Sequence, residues 1–284
     1  MLTEIDQLEA HVIVNDELDP ISPSQNPAVQ VSSRFMGIPL SPLPPGTERG
    51  DAQMEMRMDN ICCAAHGISL LLVASFLFDA GPEGEVWEKN SGRLRTEVGR
   101  IEHVVLSHYH RDHSGGLTKA IELIRKHDQG GRNVVVDVHP DRPAYRGIPR
   151  ETSYEDGIYG GRRFDETAKK WQEDTLIMEE RYVMCNLKGK GLVVFTGCGH
   201  AGIVNTCRDA VKLGNDTPLY CVVGGYHLAD ADDAKLNATM NDLKKLEPKV
   251  LLAGHCTGWR FKCLIARELP SCLVPCFSGS KYTL

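Results

Sequence analysis

Short apolar runs alternate along this chain with longer stretches in which apolar residues recur every three or four positions. Residues 68–73 and 75–78 are nearly continuous apolar runs that stop at Asp79-Ala80-Gly81-Pro82. Runs of this kind, bounded by turn residues, predict strands covered on both faces. Residues 101–106 and 134–138 read the same way. Residues 182–187 and 191–195 flank Lys188-Gly189-Lys190, which predicts a hairpin. Residues 219–223 and 250–253 complete the strands. Helical periodicity appears over 117–126, with Leu117, Ile121 and Ile124 on one face. It returns over 201–213, 234–246 and 259–269, where Ile203, Cys207, Leu236, Met240 and Leu243 face a core. Strands interleaved with helices predict two mixed sheets sandwiched between helix layers, an α/β (α+β four-layer) αββα sandwich.

Two regions break this pattern. Residues 1–50 carry Pro20, Pro23, Pro27, Pro39, Pro42, Pro44 and Pro45, which interrupt any long helix. They are expected to form a Pro-rich, partly ordered leader, with short extended pieces at 29–31 and 35–40. The domain proper is expected over 51–284. Residues 141–180 are polar and rich in Gly, Arg and Glu without a clear period, and read as a long surface excursion.

Composition narrows the function. With 42% hydrophobic and 25% charged residues, the 284-residue chain can bury a sizeable core. A formal charge of −6 argues against broad nucleic-acid binding by phosphate neutralisation. A small-molecule substrate, anionic ones included, is the expected partner, because a local metal charge can outweigh the global field. The ten cysteines show no CxxC spacing, so they read as buried small residues or free thiols of a reducing compartment. No signal peptide is evident in residues 1–20, and the apolar run 68–78 is too short to span a bilayer. A cytoplasmic, membrane-free protein is expected.

The chemistry concentrates in Ser107-His108-Tyr109-His110-Arg111-Asp112-His113-Ser114-Gly115-Gly116. Three of the chain's 11 histidines fall within six residues, between a predicted strand and a predicted helix. His108 and His110 leave the same side of an extended segment. Asp112 and His113 can point elsewhere, so one loop could serve two neighbouring metal positions. Imidazole suits Zn or Fe, and the carboxylate adds a hard anionic ligand. Three later histidines share one local grammar of apolar strand, glycine, histidine: His200, His227 and His255.

The spacing His-x-His-x-Asp-His followed by Gly-Gly resembles the motif of the metallo-β-lactamase superfamily. That resemblance implies one metal held by His108, His110 and His200, and a second by Asp112, His113 and His255. It implies Zn2+ as cofactor, one or two ions, with Fe or Mn as alternatives. Asp79 matches a carboxylate that holds the ligand loop from behind, a role ligand histidines require. A narrower resemblance rests on Ala65-His66-Gly67-Ile68-Ser69-Leu70, Thr196-Gly197-Cys198-Gly199-His200-Ala201-Gly202-Ile203, Gly224-Gly225-Tyr226-His227-Leu228 and Gly254-His255-Cys256-Thr257-Gly258. These segments are similar to the subgroup named after 7,8-dihydropterin-6-methyl-4-(β-D-ribofuranosyl)aminobenzene-5′-phosphate synthase, over roughly residues 59–284.

Two departures stand out. The superfamily has a bridging aspartate where this chain carries His227, and a neutral imidazole has one free lone pair. His227 is therefore read as a ligand of one metal, as a group supporting a ligand, or as an acid/base group, or else the second site is weak, with Asp230 and Asp232 as alternative carboxylates. The segments before Phe78 and between His113 and His200 also look shortened for the subgroup: Asp59-Asn60 lies very near His66, and Val73-Ala74-Ser75 reads as if a hairpin were skipped.

The leading expectation is an enzyme, a metal-dependent hydrolase using a metal-bound hydroxide on an ester, lactone, thioester or phosphoester. Asp112 and His227 are its catalytic candidates. Arg150, Arg162, Arg163 and Lys281 are candidate contacts for substrate anions; Cys198 and Cys256, beside ligand histidines, read as packing residues, with soft metal ligands or redox-sensitive thiols as alternatives. The alternatives are a pterin-type transferase, an iron redox protein, and a degenerate metal-binding protein without turnover.

Overall fold

Alternation within the apolar runs decides which layer each side chain enters. In a computed structural model, the chain is described apart from residues 1, 3, 23–25, 32–39, 48–49, 74, 129, 141–161, 166–169 and 174–176. For Gln30–Val31, Arg162–Asp165 and Lys170–Glu173 only the backbone is described. The N-terminal strands are β1 (Glu4–Ile5), β2 (Glu9–Val14) and β3 (Gln30–Val31). A small ribbon of β4 (Ser41–Pro42) and β5 (Met54–Glu55) follows, then β6 (Ser69–Leu72), β7 (Phe76–Phe78), β8 (His103–Val105) and β9 (Val135–Asp137). A second ribbon joins β10 (Arg162–Asp165) to β11 (Lys170–Glu173). The last strands are β12 (Tyr182–Leu187), β13 (Gly191–Thr196), β14 (Leu219–Gly224), β15 (Val250–Ala253) and β16 (Lys281–Thr283). Six helices accompany them among the described residues: α1 (Gly84–Arg93), α2 (Arg111–Ser114), α3 (Leu117–His127), α4 (Ile203–Leu213), α5 (Asp233–Lys245) and α6 (Trp259–Glu268).

One sheet has the order β3-β16-β2-β6-β7-β8-β9, the other β1-β12-β13-β14-β15. Both are mixed: β7, β8 and β9 run parallel, as do β13, β14 and β15, while β6–β7 and β12–β13 are antiparallel. Leu70, Leu72 and Phe78 of the first sheet meet Val193, Phe195, Val223 and Leu252 of the second in a central core. The residues between them point outward. Leu71, Leu77 and Val104 pack under Trp87 of α1 and Ala120 and Ile124 of α3. Val194, Val222 and Leu251 pack under Cys207, Leu236, Met240 and Phe261 of α4, α5 and α6. The four-layer αββα sandwich predicted from the pattern is the observed architecture.

The segment expected as a leader is where the structure departs from that reading. β2 lies inside the seven-stranded sheet, paired antiparallel with β16 on one side and β6 on the other. Ala10, Val12 and Val14 are buried, so these residues belong to the sandwich itself. Every proline that suggested a leader follows this strand in sequence. The stretch 35–40 lies almost wholly outside the described residues. The β6–β7 hairpin keeps full register, Leu70 to Phe78 and Leu72 to Phe76, with Val73 in the turn at φ 45°.

Helix α1 gave little periodic signal because Trp87 is its one large buried apolar residue. It is anchored by polar contacts instead. Buried Asn90 donates to the carbonyls of Ile13 and Cys63 at 2.8 Å and accepts from the Cys63 N–H at 2.7 Å.

Candidate metal centre

The parallel strands β13, β14 and β15 end at the same edge of their sheet, and β7 and β8 end at the matching edge of theirs. Loops leaving such strand ends are where sandwiches and open sheets gather polar side chains. His200, His227 and His255 follow β13, β14 and β15; Asp79 follows β7; the loop from Ser107 to His113 follows β8. Non-glycine residues with positive φ are uncommon and mark constrained backbone. Asp79 (57°), His227 (49°) and His255 (45°) all adopt it here.

Three imidazoles converge first. His108 Nε2 lies 3.0 Å from His110 Nδ1 and 3.2 Å from His200 Nε2. His108 and His200 are buried and His110 half-buried. The orientation of His108 is set from behind. Its Nδ1 is 2.9 Å from Ser107 Oγ, and that hydroxyl donates to Asp79 Oδ2 at 2.7 Å. With Nδ1–H committed, His108 turns its Nε2 lone pair toward the other two rings.

The second group mixes charge types. Asp112 Oδ2 lies 3.3 Å from His113 Nε2 and 3.1 Å from His255 Nε2. Cys198 Sγ lies 3.1 Å from His113 Nε2 and 3.3 Å from His255 Nε2. His113 Nδ1 donates to Asp79 Oδ2 at 2.6 Å, and His255 Nδ1 donates to Asp16 Oδ1 at 2.8 Å. Asp79 thus steers both groups, directly through His113 and by way of Ser107 through His108. Gly197 allows this closeness: a Cβ there would lie 2.2 Å from Ser107 Oγ.

The electrostatics of the two groups differ in sign. Burial and the neighbouring His113, His200 and His110 hold His108 well below the usual imidazole range. Burial and His227 push His200 down to about 2. Burial also works against a charged His113, but the Asp79 carboxylate and hydrogen bonds to Asp112 and Asp79 outweigh it, and the ring is raised to about 9. His255 is likewise raised well above its ordinary value, burial being overcome by Cys256, Asp112 and Asp16. Burial alone would raise Asp112, yet its hydrogen bonds to His113 and His255 hold it far below the carboxylate range.

The donor chemistry fits metal ions. Ligands at about 2.0–2.1 Å around a tetrahedral ion stand about 3.3 Å from one another. The donor separations of 3.0–3.3 Å in both groups are of that size. His108, His110 and His200 form one set, and Asp112, His113, Cys198 and His255 another, each with donor atoms within 4.8 Å of one another.

Each residue singled out in the sequence can now be located. His108, His110, His200, Asp112, His113 and His255 come together, with Asp79 behind them. His227 is half-buried, its ring 4.3 Å from that of His200, and its donor atom groups with those of His200 and Cys198. Burial opposes a charge on His227, but the Cys256 thiol and Asp230 raise it. Neither Asp230 nor Asp232 joins a donor group among the described residues; Asp232 caps α5 by accepting from the Lys235 N–H at 2.7 Å. Arg150 lies outside the described residues, as do the side chains of Arg162 and Arg163. Lys281 sits in β16 and pairs with Glu9 at 2.9 Å. Cys198, read as a packing residue, instead stands among the donors.

Three contributors were not foreseen. Asp16, at the end of β2, bridges His255 Nδ1 and His66 Nδ1 (2.7 Å) and accepts from the Gly67 N–H at 2.9 Å. Asn15 beside it accepts from the His255 N–H at 2.8 Å. Glu180 accepts from the His200 and Ala201 N–H groups at 2.9 Å, pinning the His200 loop. The pair Asn15-Asp16 at the end of an apolar run was the signal available, since His66-Gly67 and Asp79-Ala80 also follow or precede such runs. Beside His200 and His227 a cavity of about 250 Å³ opens between α4 and α5, also lined by Arg208 and Lys235. Arg208 pairs with Asp242 at 3.3 Å, whereas half-buried Lys235 has no carboxylate within ion-pair reach among the described residues.

Known proteins resemble this chain in sequence and fold. The Metallo-beta-lactamase superfamily model matches residues 71–181, which span the His108–His113 loop. A 7,8-dihydropterin-6-methyl-4-(β-D-ribofuranosyl)-aminobenzene-5′-phosphate synthase of Methanocaldococcus jannaschii is 26% identical over 254 residues, covering 72% of this chain and 84% of that protein. An uncharacterised protein of the same organism is 28% identical over 226 residues, covering 69% and 86%. The solved structure of Tm1679, described as a metal-dependent hydrolase of the β-lactamase superfamily, shares the fold. Its TM-score is 0.58 at 24% identity, over 96% of this chain and 98% of that one. Among the described residues no helix is long and apolar enough to cross a membrane. Two sheets, flanking helices and a histidine-rich loop in this arrangement thus accompany a match of residues 71–181 to the Metallo-beta-lactamase superfamily model and a fold shared with Tm1679.

Proposed function

We propose that this chain is a metal-dependent hydrolase of a small ester, lactone, thioester or phosphoester, with anionic substrates favoured. The observation that carries the reading is the pair of donor groups at one edge of the sandwich, sharing Asp79 as their common support. His108, His110 and His200 would hold one divalent ion, and Asp112, His113 and His255 a second; zinc suits the imidazole-rich set. Bound there, such ions would bring the pKa of a water toward neutrality and polarise a carbonyl or phosphoryl oxygen. The chain's own residues supply the rest. Lys235, and Arg208 beyond it, offer positive charge to a substrate anion in the cavity beside His200. His227 lines that cavity and is placed to hold a proton for a leaving group. Asp112 is placed to orient the attacking group from the opposite side. The buried walls around His113 and His255 keep bulk water from the donors.

A pterin-type transferase is the second reading, favoured by the similarity to the archaeal synthase. There an arylamine nitrogen would form a bond to the pterin methylene carbon while the carbon–oxygen bond breaks and pyrophosphate leaves. Metal quantification on the purified chain, beside a panel of esters, lactones, thioesters and phosphoesters, tests the first reading. Bound metal with chelator-sensitive turnover on the panel is expected. Turnover only of a pterin pyrophosphate with an arylamine would replace hydrolysis by transfer. Bound metal with no turnover of either kind would point to a binding protein.

A further inference from the structure

Cys198 is buried, yet it belongs to none of the three apolar clusters that take up Cys207, Cys221, Cys272 and Cys276. Its neighbours are polar donors. Sγ stands 3.1 Å from His113 Nε2 and 3.3 Å from His255 Nε2, the same two atoms that Asp112 Oδ2 approaches. Both rings commit their other nitrogen elsewhere, His113 to Asp79 and His255 to Asp16, so Nε2 is the atom each offers to this space. Four donor atoms from Asp112, His113, Cys198 and His255 lie within 4.8 Å of one another. Around a tetrahedral zinc with Zn–S of about 2.3 Å and Zn–N of about 2.0–2.1 Å, sulfur and nitrogen stand about 3.5 Å apart. The Sγ distances here are close to that.

We infer that Cys198 is a thiolate ligand of the second metal position, completing Asp112, His113 and His255. The inference rests on the metal-centre reading above and adds a sulfur to it. On binding, the S–H bond breaks, the sulfur–metal bond forms, and the proton passes to solvent. The backbone makes the contact specific: the Gly197 and Gly199 flanks let the loop turn Sγ inward, and a Cβ at Gly197 would collide with Ser107. A soft ligand in this position selects zinc or iron over magnesium and manganese. It also divides the labour near the site of the missing bridging carboxylate. Sulfur serves the second ion, and His227 remains available to the cavity on the far side of His200.

The test is cobalt substitution of the full-length, metal-free chain. Two equivalents of Co2+ should give a near-ultraviolet thiolate-to-cobalt charge-transfer band. Cys198→Ser should lose that band while still binding cobalt at the histidine set, and Cys256→Ser should keep it. Zinc-edge X-ray absorption on the unmodified zinc-loaded chain gives a second readout that needs no variant, with sulfur scattering at about 2.3 Å expected. A shell of nitrogen and oxygen alone, or a band that vanishes in Cys256→Ser and survives in Cys198→Ser, overturns the assignment of Cys198 while leaving a metal centre. Failure to bind cobalt at all overturns both.

Discussion

The two donor groups lie side by side on shared supports, yet their neighbours shift the rings in opposite directions. Around His108 and His200 the neighbours are other imidazoles, so burial and mutual repulsion favour neutral rings. Around His113 and His255 the neighbours are Asp79, Asp112 and Asp16, and the carboxylates overcome burial and hold protons on the rings. A ligand must be deprotonated at the metal-binding nitrogen. The imidazole set is therefore ready for an ion at neutral pH, whereas the carboxylate-laced set must first give protons up. Pre-organised geometry is common to both, and readiness is not.

Replacing a first-set ligand should have the largest effect. His110→Ala should lower affinity for the first ion and turnover by more than about 100-fold, beyond what loss of a supporting group costs. Calorimetric metal titration beside the rate measurement checks it. If the variant keeps both, the imidazole set is not a metal position. Asp79→Asn comes next, because it weakens the support of both groups at once. A drop of about 10–100-fold in metal affinity at both positions is expected. A loss confined to one position would show that the Ser107 connection carries nothing. Asp16→Asn should be narrower, costing about tenfold at the second position and nothing at the first. Equal losses at both would erase the comparison.

The smallest effect is on stability without metal. Histidines held below about 6.5 in the fold leave the unfolded chain binding more protons as pH falls, so the His108 set costs stability below about pH 6.5. His113 is raised to about 9, so its contribution is complete below about pH 6.5 and is lost as pH rises through about 9. Thermal melting of the metal-free chain should show a maximum between these windows. A profile that keeps rising to pH 9 would contradict the proton-holding half.

Much of this was legible in the residues. Unbroken apolar runs revealed strands buried on both faces, and the strand, glycine, histidine grammar located His200, His227 and His255 at strand ends. The hairpin at Lys188-Gly189-Lys190 forms as expected, with Gly189 at φ 70°. What stayed hidden had physical reasons. β2 is six residues long and is followed by a proline-rich stretch, so its place between β6 and β16 depends on pairings more than 50 residues away in sequence. Asp16 could not be assigned a role until that pairing set it against His255. Cys198 read as packing ahead of a soft ligand, because burial is visible in composition but the spatial neighbours of a side chain are not. Helix α1 is held by Asn90 rather than by an apolar stripe, and periodicity does not report polar anchors.

The two adjacent donor groups differ in the protons they hold. Zinc titration of the metal-free chain at pH 7, repeated in buffers of different ionisation enthalpy, counts the protons released at each step. Two events are expected, the first with almost no proton release and the second releasing protons from His113, His255 and the Cys198 thiol, with affinity for the second ion rising about tenfold per pH unit for each proton released. A single event, or equal proton release at both steps, would contradict it.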